Sequence, residues 1–234
     1  MKLSECVYIK ANGDHCHVSA TVWYKGKHYC LRHAKRLVLL NPAGTNQRNE
    51  RRETAMEKLI ITSADVKDGA YIKGVLEFEG HVELAEGLGW VKFVSLIAKG
   101  YIWAKAGTGI EAGEGIEAGW GIEAGWGIEA GWGIKAGTGI EAGTGIEAGW
   151  GIKAGWGIKA GTGIEAGEGI KAGTGIEAGE GIKAGANISV RLRIFAGLLI
   201  YRKPTPDEMS VKCRRLESGE VAYGTLIEMQ KGGK

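Results

Sequence analysis

Three cysteines and a histidine near the start of the chain form a candidate metal site. Cys6, Cys16, Cys30 and His33 follow the pattern C-x9-C-x13-C-x2-H. Thiolates and imidazole are the ligands of tetrahedral zinc, and a module too short for a sizeable core needs a metal ion to fold. Four protein ligands would close the site, so we expect a structural zinc ion. The alternatives are buried thiols without a metal, or a different fourth ligand from among His15, His17 and His28.

This segment resembles the small CCCH zinc-binding modules of bacterial and phage proteins. The matching residues are Gly13, Cys16, Gly26, Tyr29, Cys30 and His33. The resemblance implies a zinc-binding module over residues 1–35.

A six-residue repeat, G-I-[EK]-A-G-x, fills the middle of the chain. Its thirteen isoleucines fall at every sixth residue from Ile110 to Ile182, and Ile188, Ile194 and Ile200 continue the series. Upstream, the same spacing is found at Ile72, Phe78, Leu84, Trp90, Leu96 and Ile102. The phase slips by two residues between Ile102 and Ile110, which predicts a small bulge in "AKAG". A fixed period of six with aliphatic anchors is typical of a parallel β-helix, so the predicted fold class is mainly β.

The geometry of a strand explains the repeat. In I-E-A the isoleucine and alanine point to one face and fill a narrow core, while the charged residue points to solvent. The G-x-G that follows makes a corner. Three such sides close a triangular turn of about 18 residues, and the repeats predict about seven turns stacked about 4.8 Å apart. A two-sided turn of about 12 residues and a flexible glycine-rich linker are the alternatives.

A turn of about 18 residues stacks every third repeat and aligns the charged residues in columns. The predicted columns are Glu111, Glu129, Glu147 and Glu165; Glu117, Lys135, Lys153 and Lys171; and Glu123, Glu141, Lys159 and Glu177. They are either solvated faces that keep a flat β-surface soluble or surfaces that match a charged partner.

The x position of the repeat holds threonine, glutamate or tryptophan and is therefore predicted to face outward. The tryptophans are Trp120, Trp126, Trp132, Trp150 and Trp156. Exposed aromatic residues in clusters commonly mark binding surfaces, although here they could instead shield the corner backbone from water. We take these five tryptophans with Lys135, Lys153 and Lys171 as the candidate partner-binding residues.

The rest of the chain flanks the repeats. Residues 36–60 are predicted to be a basic linker with a short helix and a cap, residues 61–201 the β-helix, and residues 202–234 a C-terminal cap. With 30 basic and 27 acidic residues the net charge is +3, which does not indicate a polyelectrolyte. The chain begins without an apolar signal segment and has no apolar run long enough to span a membrane, so we expect a cytoplasmic location.

The repeats resemble left-handed β-helix proteins, which include acyltransferases and γ-class carbonic anhydrases. The solenoid contains one histidine, His81, and the catalytic histidine of that family has no counterpart in the repeats. The glycine-rich repeats also resemble those of phage and prophage accessory proteins, which implies an inhibitor of a host defence complex.

The first functional hypothesis is a non-enzymatic protein-binding scaffold, such as a phage-encoded anti-CRISPR-like inhibitor of a host protein or ribonucleoprotein complex. The second is a zinc-dependent nucleic-acid-binding protein, in which "HAKRL" and "QRNERR" contact phosphates. The third is an acyltransferase-like enzyme. A homo-oligomer is compatible with all three.

Overall fold

The structure is a computed structural model of the chain that describes residues 21–24, 27–30, 56–199 and 202–230. The chain divides into two compact units, residues 1–52 and residues 53–234. In the first unit, strands β1 (Thr21–Tyr24) and β2 (Lys27–Cys30) pair antiparallel, with Thr21 opposite Cys30. Within the described residues no helix is long and apolar enough to cross a membrane.

The second unit is a parallel β-solenoid whose strands lie in three stacks, which we name faces A, B and C. The chain visits them in that order. Face A contains β3 (Lys58–Ile61), β7 (His81–Leu84), β10 (Ile102–Ala104), β13 (Ile122–Ala124), β16 (Ile140–Ala142), β19 (Ile158–Ala160) and β22 (Ile176–Ala178). Face B contains β5 (Ala70–Tyr71), β8 (Gly89–Phe93), β11 (Thr108–Ala112), β14 (Ile128–Ala130), β17 (Ile146–Ala148), β20 (Ile164–Ala166), β23 (Ile182–Ala184), β25 (Ser210–Cys213) and β27 (Thr225–Glu228).

Face C and the two ends complete the solenoid. Face C contains β6 (Val75–Phe78), β9 (Ser95–Ala98), β12 (Ile116–Ala118), β15 (Ile134–Ala136), β18 (Ile152–Ala154) and β21 (Ile170–Ala172). Strand β24 (Asn187–Ala196) runs from face C to face A, and β26 (Arg215–Tyr223) pairs with it. A 3-10 turn (Ser63–Asp65) and β4 (Val66–Lys67) lie near the start of the unit, where β4 pairs antiparallel with β5.

The register confirms the predicted turn of 18 residues and excludes both the 12-residue turn and the flexible linker. Ile110 pairs with Ile128, and Ile128 pairs with Ile146. The isoleucine and alanine of each repeat are buried in a single continuous core, while the charged residue between them faces outward. The predicted columns form as expected: Lys135, for example, pairs with Lys153.

The first turns are longer than the repeats predict, because extra residues are inserted at corners. Val82 pairs with Ile102, and Ile102 pairs with Ile122, which is a spacing of 20 residues. The bulge predicted in "AKAG" is present there: Gly107 has φ +71°, a conformation that glycine adopts at no steric cost. The buried Thr108 beside it donates a hydrogen bond from its hydroxyl to the carbonyl oxygen of Ala85 at 2.7 Å.

Two of the predicted upstream anchors are therefore wrong. Ile72 is exposed, and Trp90 stands outside the core, one residue before the buried Val91. Because extra residues are inserted at the corners, the six-residue spacing of core positions is interrupted there. A count of six from one core residue therefore ends on a residue outside the core.

The C-terminal strands continue the stack. Val211 lies on Ile182, and Leu226 lies on Val211, both in parallel register. These turns lack the G-I-x-A-G pattern but keep an aliphatic residue at the core position. The solenoid consequently has about nine turns, where the sequence predicted about seven. At about 4.8 Å per turn it is roughly 40 Å long.

Candidate functional site

The two glycines of each repeat have different structural roles. The glycine after alanine has no room for a side chain: a Cβ at Gly155 would lie 2.0 Å from the carbonyl oxygen of Gly137 in the previous turn. The glycine before isoleucine has more room: a Cβ at Gly157 would come no closer than 3.4 Å to any atom, the nearest being the Oγ1 of Thr174. At this position in the other repeats the nearest atom lies at 2.7 to 3.4 Å. Stacking of turns therefore excludes a side chain at the first glycine of the Gly155 type and leaves space for a small one at the second where the distance is long.

The position of the second glycine accepts other residues at both ends of the repeats. Trp90, Ser95 and Tyr101 occupy it before the repeats, and Asn187 and Arg193 occupy it after them, as the register of their strands shows. Glycine is nevertheless kept there in the intervening turns on all three faces. The result is a channel on each face whose floor is bare backbone, because glycine has no side chain.

We name these channels grooves A, B and C, after the faces on which they lie. Their volumes are about 1,090, 380 and 860 Å³, respectively. The floor of groove A is Gly121, Gly139, Gly157 and Gly175; that of groove B is Gly127, Gly145, Gly163 and Gly181; that of groove C is Gly115, Gly133, Gly151 and Gly169. One wall of each groove is the column of x residues at the corner, and the other is the column of charged residues.

The five tryptophans at x positions are exposed, as predicted, with 41 to 64% of each residue accessible to solvent. They do not form one surface, because they are divided among three corners. Trp120 and Trp156 belong to the corner beside groove A, and Trp126 to the corner beside groove B. Trp132 and Trp150 occupy adjacent turns at the corner beside groove C. A single flat partner could therefore not contact all five.

Groove C brings together five of the eight residues proposed from the sequence. The rings of Trp132 and Trp150 are stacked, with centroids 5.7 Å apart and planes inclined by 10°. The opposite wall carries the column of exposed lysines, Lys135, Lys153 and Lys171. The other three residues lie elsewhere: Trp156 lines groove A, Trp126 lies on another corner, and Trp120 packs edge-on against His81.

The charges of groove C are mixed. Lys135 contacts the Glu117 carboxylate at 2.5 Å, whereas Lys153 and Lys171 form no ion pair among the residues that the structure describes. Glu114 and Glu168 flank the tryptophan pair on the corner side, and Glu217 lies at the end of the groove. With three lysines and four glutamates, the groove offers two unpaired ammonium groups without being a positive surface.

Comparison with known proteins gives no family for this chain. No protein family, curated protein or solved structure matches it at a significant level.

Groove B differs from groove C in charge and in occupancy. Its charged wall includes Glu129, Glu147 and Glu165, and its start is covered by the indole of Trp90. Partial desolvation by neighbouring side chains, then the carboxylates of Glu147 and Glu111, raise the pKa of Glu129, although its side chain faces solvent. Groove B is therefore acidic, and in part filled by the protein itself.

A buried cluster of polar side chains near the start of face A was not foreseen from the sequence. Glu83 is almost fully buried and accepts a hydrogen bond from the Tyr101 hydroxyl at 2.7 Å, with Lys58 at 3.2 Å. The Tyr101 hydrogen bond, together with the charge of Lys58, holds the pKa of Glu83 below its ordinary value, and the same contact raises the pKa of Tyr101. His81 stacks on Tyr101 and accepts a hydrogen bond from its backbone N–H. These mutual contacts fasten the early turns together.

The predicted zinc ligands fall largely outside the described residues. Cys6, Cys16 and His33 are not described, and Cys30 is described only as the last residue of β2. Within the described part of the chain no group of three metal-binding side chains occurs. The zinc site over residues 1–35 stays a prediction.

Proposed function

We propose that the chain is a non-enzymatic binding scaffold that holds a partner protein in groove C. The observation that carries this proposal is the stacked Trp132–Trp150 pair facing Lys153 and Lys171 across a floor of glycine. Tryptophans supply large, rigid contact areas and are enriched among the residues that dominate interface energies. Unpaired lysines beside them select for acidic groups on the partner.

The rigidity of the site supports the same function. Trp132 and Trp150 are attached to a backbone whose turns are hydrogen-bonded to one another: the Trp150 N–H donates to the Trp132 carbonyl oxygen at 2.7 Å. The solenoid also buries the isoleucines behind the groove completely. A preformed surface loses little conformational entropy on binding, so a larger part of the contact energy appears as affinity.

The biological role that we propose is occlusion of a host complex by a phage-encoded inhibitor, acting in the host cytoplasm. Its support is the resemblance of the glycine-rich repeats to phage and prophage proteins, together with a surface suited to binding. In this proposal the zinc site of Cys6, Cys16, Cys30 and His33 stabilises the N-terminal unit.

A second candidate is single-stranded nucleic acid in the same groove, because bases stack on aromatic rings and phosphates pair with lysines. The four glutamates that line groove C count against it, since each would face the phosphate backbone. The protein partner is therefore favoured.

The test is capture of a partner from bacterial lysate by the immobilised full chain, with identification of bound proteins by mass spectrometry. Trp132→Thr/Trp150→Thr should abolish capture, since threonine occupies the same position in other repeats and leaves the backbone unaltered. Trp120→Thr/Trp126→Thr, on the other two corners, is the matched control and should capture normally. Equal capture by both double variants would contradict the proposal, and nuclease-sensitive capture would favour nucleic acid.

A further inference from the structure

The indole side chain of Trp90 occupies the start of groove B. The ring lies directly over Gly109, the residue of the next turn that is level with Trp90, and over Gly127, the first floor glycine of groove B. A Cβ added to Gly109 would come within 2.8 Å of its Cε3, and one added to Gly127 within 2.8 Å of its Cη2. Each distance is shorter than any real Cβ contact, so the ring can lie there only because both floor residues are glycine.

Groove C has the same floor without such a ring. Ser95 stacks on Gly115 as Trp90 stacks on Gly109, and a serine is too short to reach along the channel. Beyond it lie Gly133 and Gly151, where the atoms nearest to an added Cβ are backbone atoms of the next turn and no ring, among the residues that the structure describes. Four floor glycines separated by about 4.8 Å give an open strip roughly 14 Å long, which is enough for more than one aromatic ring.

The glycines of this floor do not have a backbone conformation that only glycine adopts, since none of them has a positive φ. An added Cβ at Gly115, Gly133 or Gly151 would meet a carbonyl oxygen of the next turn at 3.0 to 3.4 Å, so alanine fits there with a shift of a few tenths of an ångström. Their effect on the surface is to expose a flat peptide strip between the tryptophan pair and the lysines.

We infer that the floor of groove C is a slot for an aromatic side chain, supplied by an extended acidic segment of the partner protein. The ring would lie on Gly133 and Gly151, as Trp90 lies on Gly109 and Gly127, with Trp132 and Trp150 as its wall. Carboxylates flanking the ring would reach Lys153 and Lys171. A segment with separated carboxylates avoids Glu114 and Glu168, which a continuous polyanion cannot do. This inference rests on the proposed function and specifies its partner.

The probe is a fluorescein-labelled decapeptide of alternating aspartate and tyrosine, titrated with the full chain and followed by fluorescence anisotropy. A decapeptide of alternating aspartate and leucine has the same charge without the rings and should bind at least about tenfold more weakly. A 20-nucleotide oligothymidylate is the nucleic-acid arm. Tighter binding of the oligothymidylate than of the tyrosine peptide would overturn the inference.

Two variants close the slot by independent means. Gly133→Ala/Gly151→Ala raises the floor, and Ser95→Trp supplies an indole to groove C as Trp90 does to groove B. Each should weaken binding of the tyrosine peptide by at least about tenfold. Gly139→Ala/Gly157→Ala makes the same substitutions in groove A, where the added Cβ atoms come no closer than 3.4 Å to any atom, and should leave the affinity unchanged. The groove C pair is more crowded, at 3.0 and 3.1 Å, so Ser95→Trp is the test that does not depend on the floor backbone. Circular dichroism melting reports whether each variant is folded.

Unchanged affinity in a folded Ser95→Trp variant, or equal losses in the groove A and groove C glycine variants, would overturn the slot. The scaffold would still stand if those variants captured a lysate partner normally while Trp132→Thr/Trp150→Thr did not. If the slot variants and Trp132→Thr/Trp150→Thr all captured the partner normally, both proposals would be contradicted.

Discussion

Gly155 and Gly157 stand on either side of Trp156 in one repeat, yet only the first is fixed by the stacking of turns. The corner at Gly155 brings the backbone of successive turns so close that the carbonyl oxygen of Gly137 occupies the place of a side chain. At Gly157 that place is the open floor of groove A. The same amino acid therefore serves the fold at one position and the surface two residues later.

We predict that Gly155→Ala and Gly157→Ala differ sharply in stability. The first would force a Cβ to within 2.0 Å of a backbone oxygen and should lower the free energy of unfolding by at least about 3 kcal/mol. The second should be neutral or raise it by up to about 1 kcal/mol, because alanine restricts the unfolded chain. Chemical denaturation of both variants measures this difference. Similar losses would mean that both glycines are required by the backbone.

The tryptophans show what could be predicted at this scale. Their exposure follows from the glutamates that share the x position, and their division among corners follows from separations of 18 residues, such as that between Trp132 and Trp150. The grooves could not be predicted in this way. A glycine that makes a corner and a glycine that opens a channel are the same letter, and only the distances to neighbouring turns distinguish them.

At the scale of the strand, like charges repel one another at the centre of the charged column of face B. Lys92 pairs with Glu111 at 3.1 Å, and Lys183 pairs with Glu165 near the other end. Glu129 lies between Glu111 and Glu147 in the register, with like charge on both sides. Ionisation of Glu129 therefore opposes folding.

The pH dependence follows from the raised pKa of Glu129. An acid whose pKa is higher in the folded state binds more protons there, so its ionisation costs stability above that pKa and costs nothing below the pKa of the unfolded chain. Glu129→Gln should thus raise the free energy of unfolding at neutral pH by at most about 0.5 kcal/mol, because solvent screens the charge of this exposed side chain. This gain in stability should shrink as the pH falls from the folded-state pKa of Glu129 to its unfolded-state pKa. Denaturation at several pH values measures the change.

Glu165→Gln is the control in the same column. It removes the partner of Lys183 and should bring no gain at neutral pH. A gain at Glu165 equal to that at Glu129 would show that the position in the column is irrelevant.

The hairpin of β1 and β2 ends at Cys30, one of the four predicted zinc ligands. We expect about one zinc ion per chain in purified protein, and Cys30→Ser should release it, because three ligands hold the ion less tightly. The control is Cys213→Ser, which alters a buried thiol in the solenoid. Elemental analysis after dialysis measures the metal content. Equal zinc content in the parent and in Cys30→Ser would contradict the ligand set.

The strands of the repeats were predictable together with their register, whereas the register of β25 and β27 was not, for a physical reason. Inside the repeats every turn must fit the same neighbour above and below, so the pattern is strict. At the end the last strand, β27, has a neighbour on one side only. Strands β25 and β27 each keep one aliphatic residue at the core position, Val211 and Leu226. Such a pattern is too short to be recognised by its period.

The whole solenoid is a one-dimensional stack in which backbone pairing joins each turn only to the turns beside it. Its stability is a sum over neighbouring contacts, and the outermost turns have half of them. Among the described residues, β27 pairs only with β25, and β26 only with β24. The last core layer is also less covered: Leu226 is 38% exposed.

We therefore predict a gradient of amide hydrogen exchange along the stack. Strands β14 to β20, in the centre, should be the most protected, and β26 and β27 should exchange first, because the last turn is paired on one side only. Exchange followed by mass spectrometry on peptic fragments measures the gradient. Protection of β27 equal to that of β17 would show that the end of the solenoid is covered.

The three faces place the same residue types in the core, and this has a consequence for how the surface can change during evolution. Each repeat fits any face, since isoleucine and alanine take the same places on all of them. Duplication or loss of one repeat in the gene would preserve the core while moving every later residue one face onward. Lysines would pass from one groove to another, and tryptophans would acquire new neighbours, without any amino acid being replaced. Gain or loss of three repeats would instead lengthen or shorten every groove by one turn. The surface of such a protein can thus change through gain or loss of repeats, an error that occurs readily when repetitive DNA is copied.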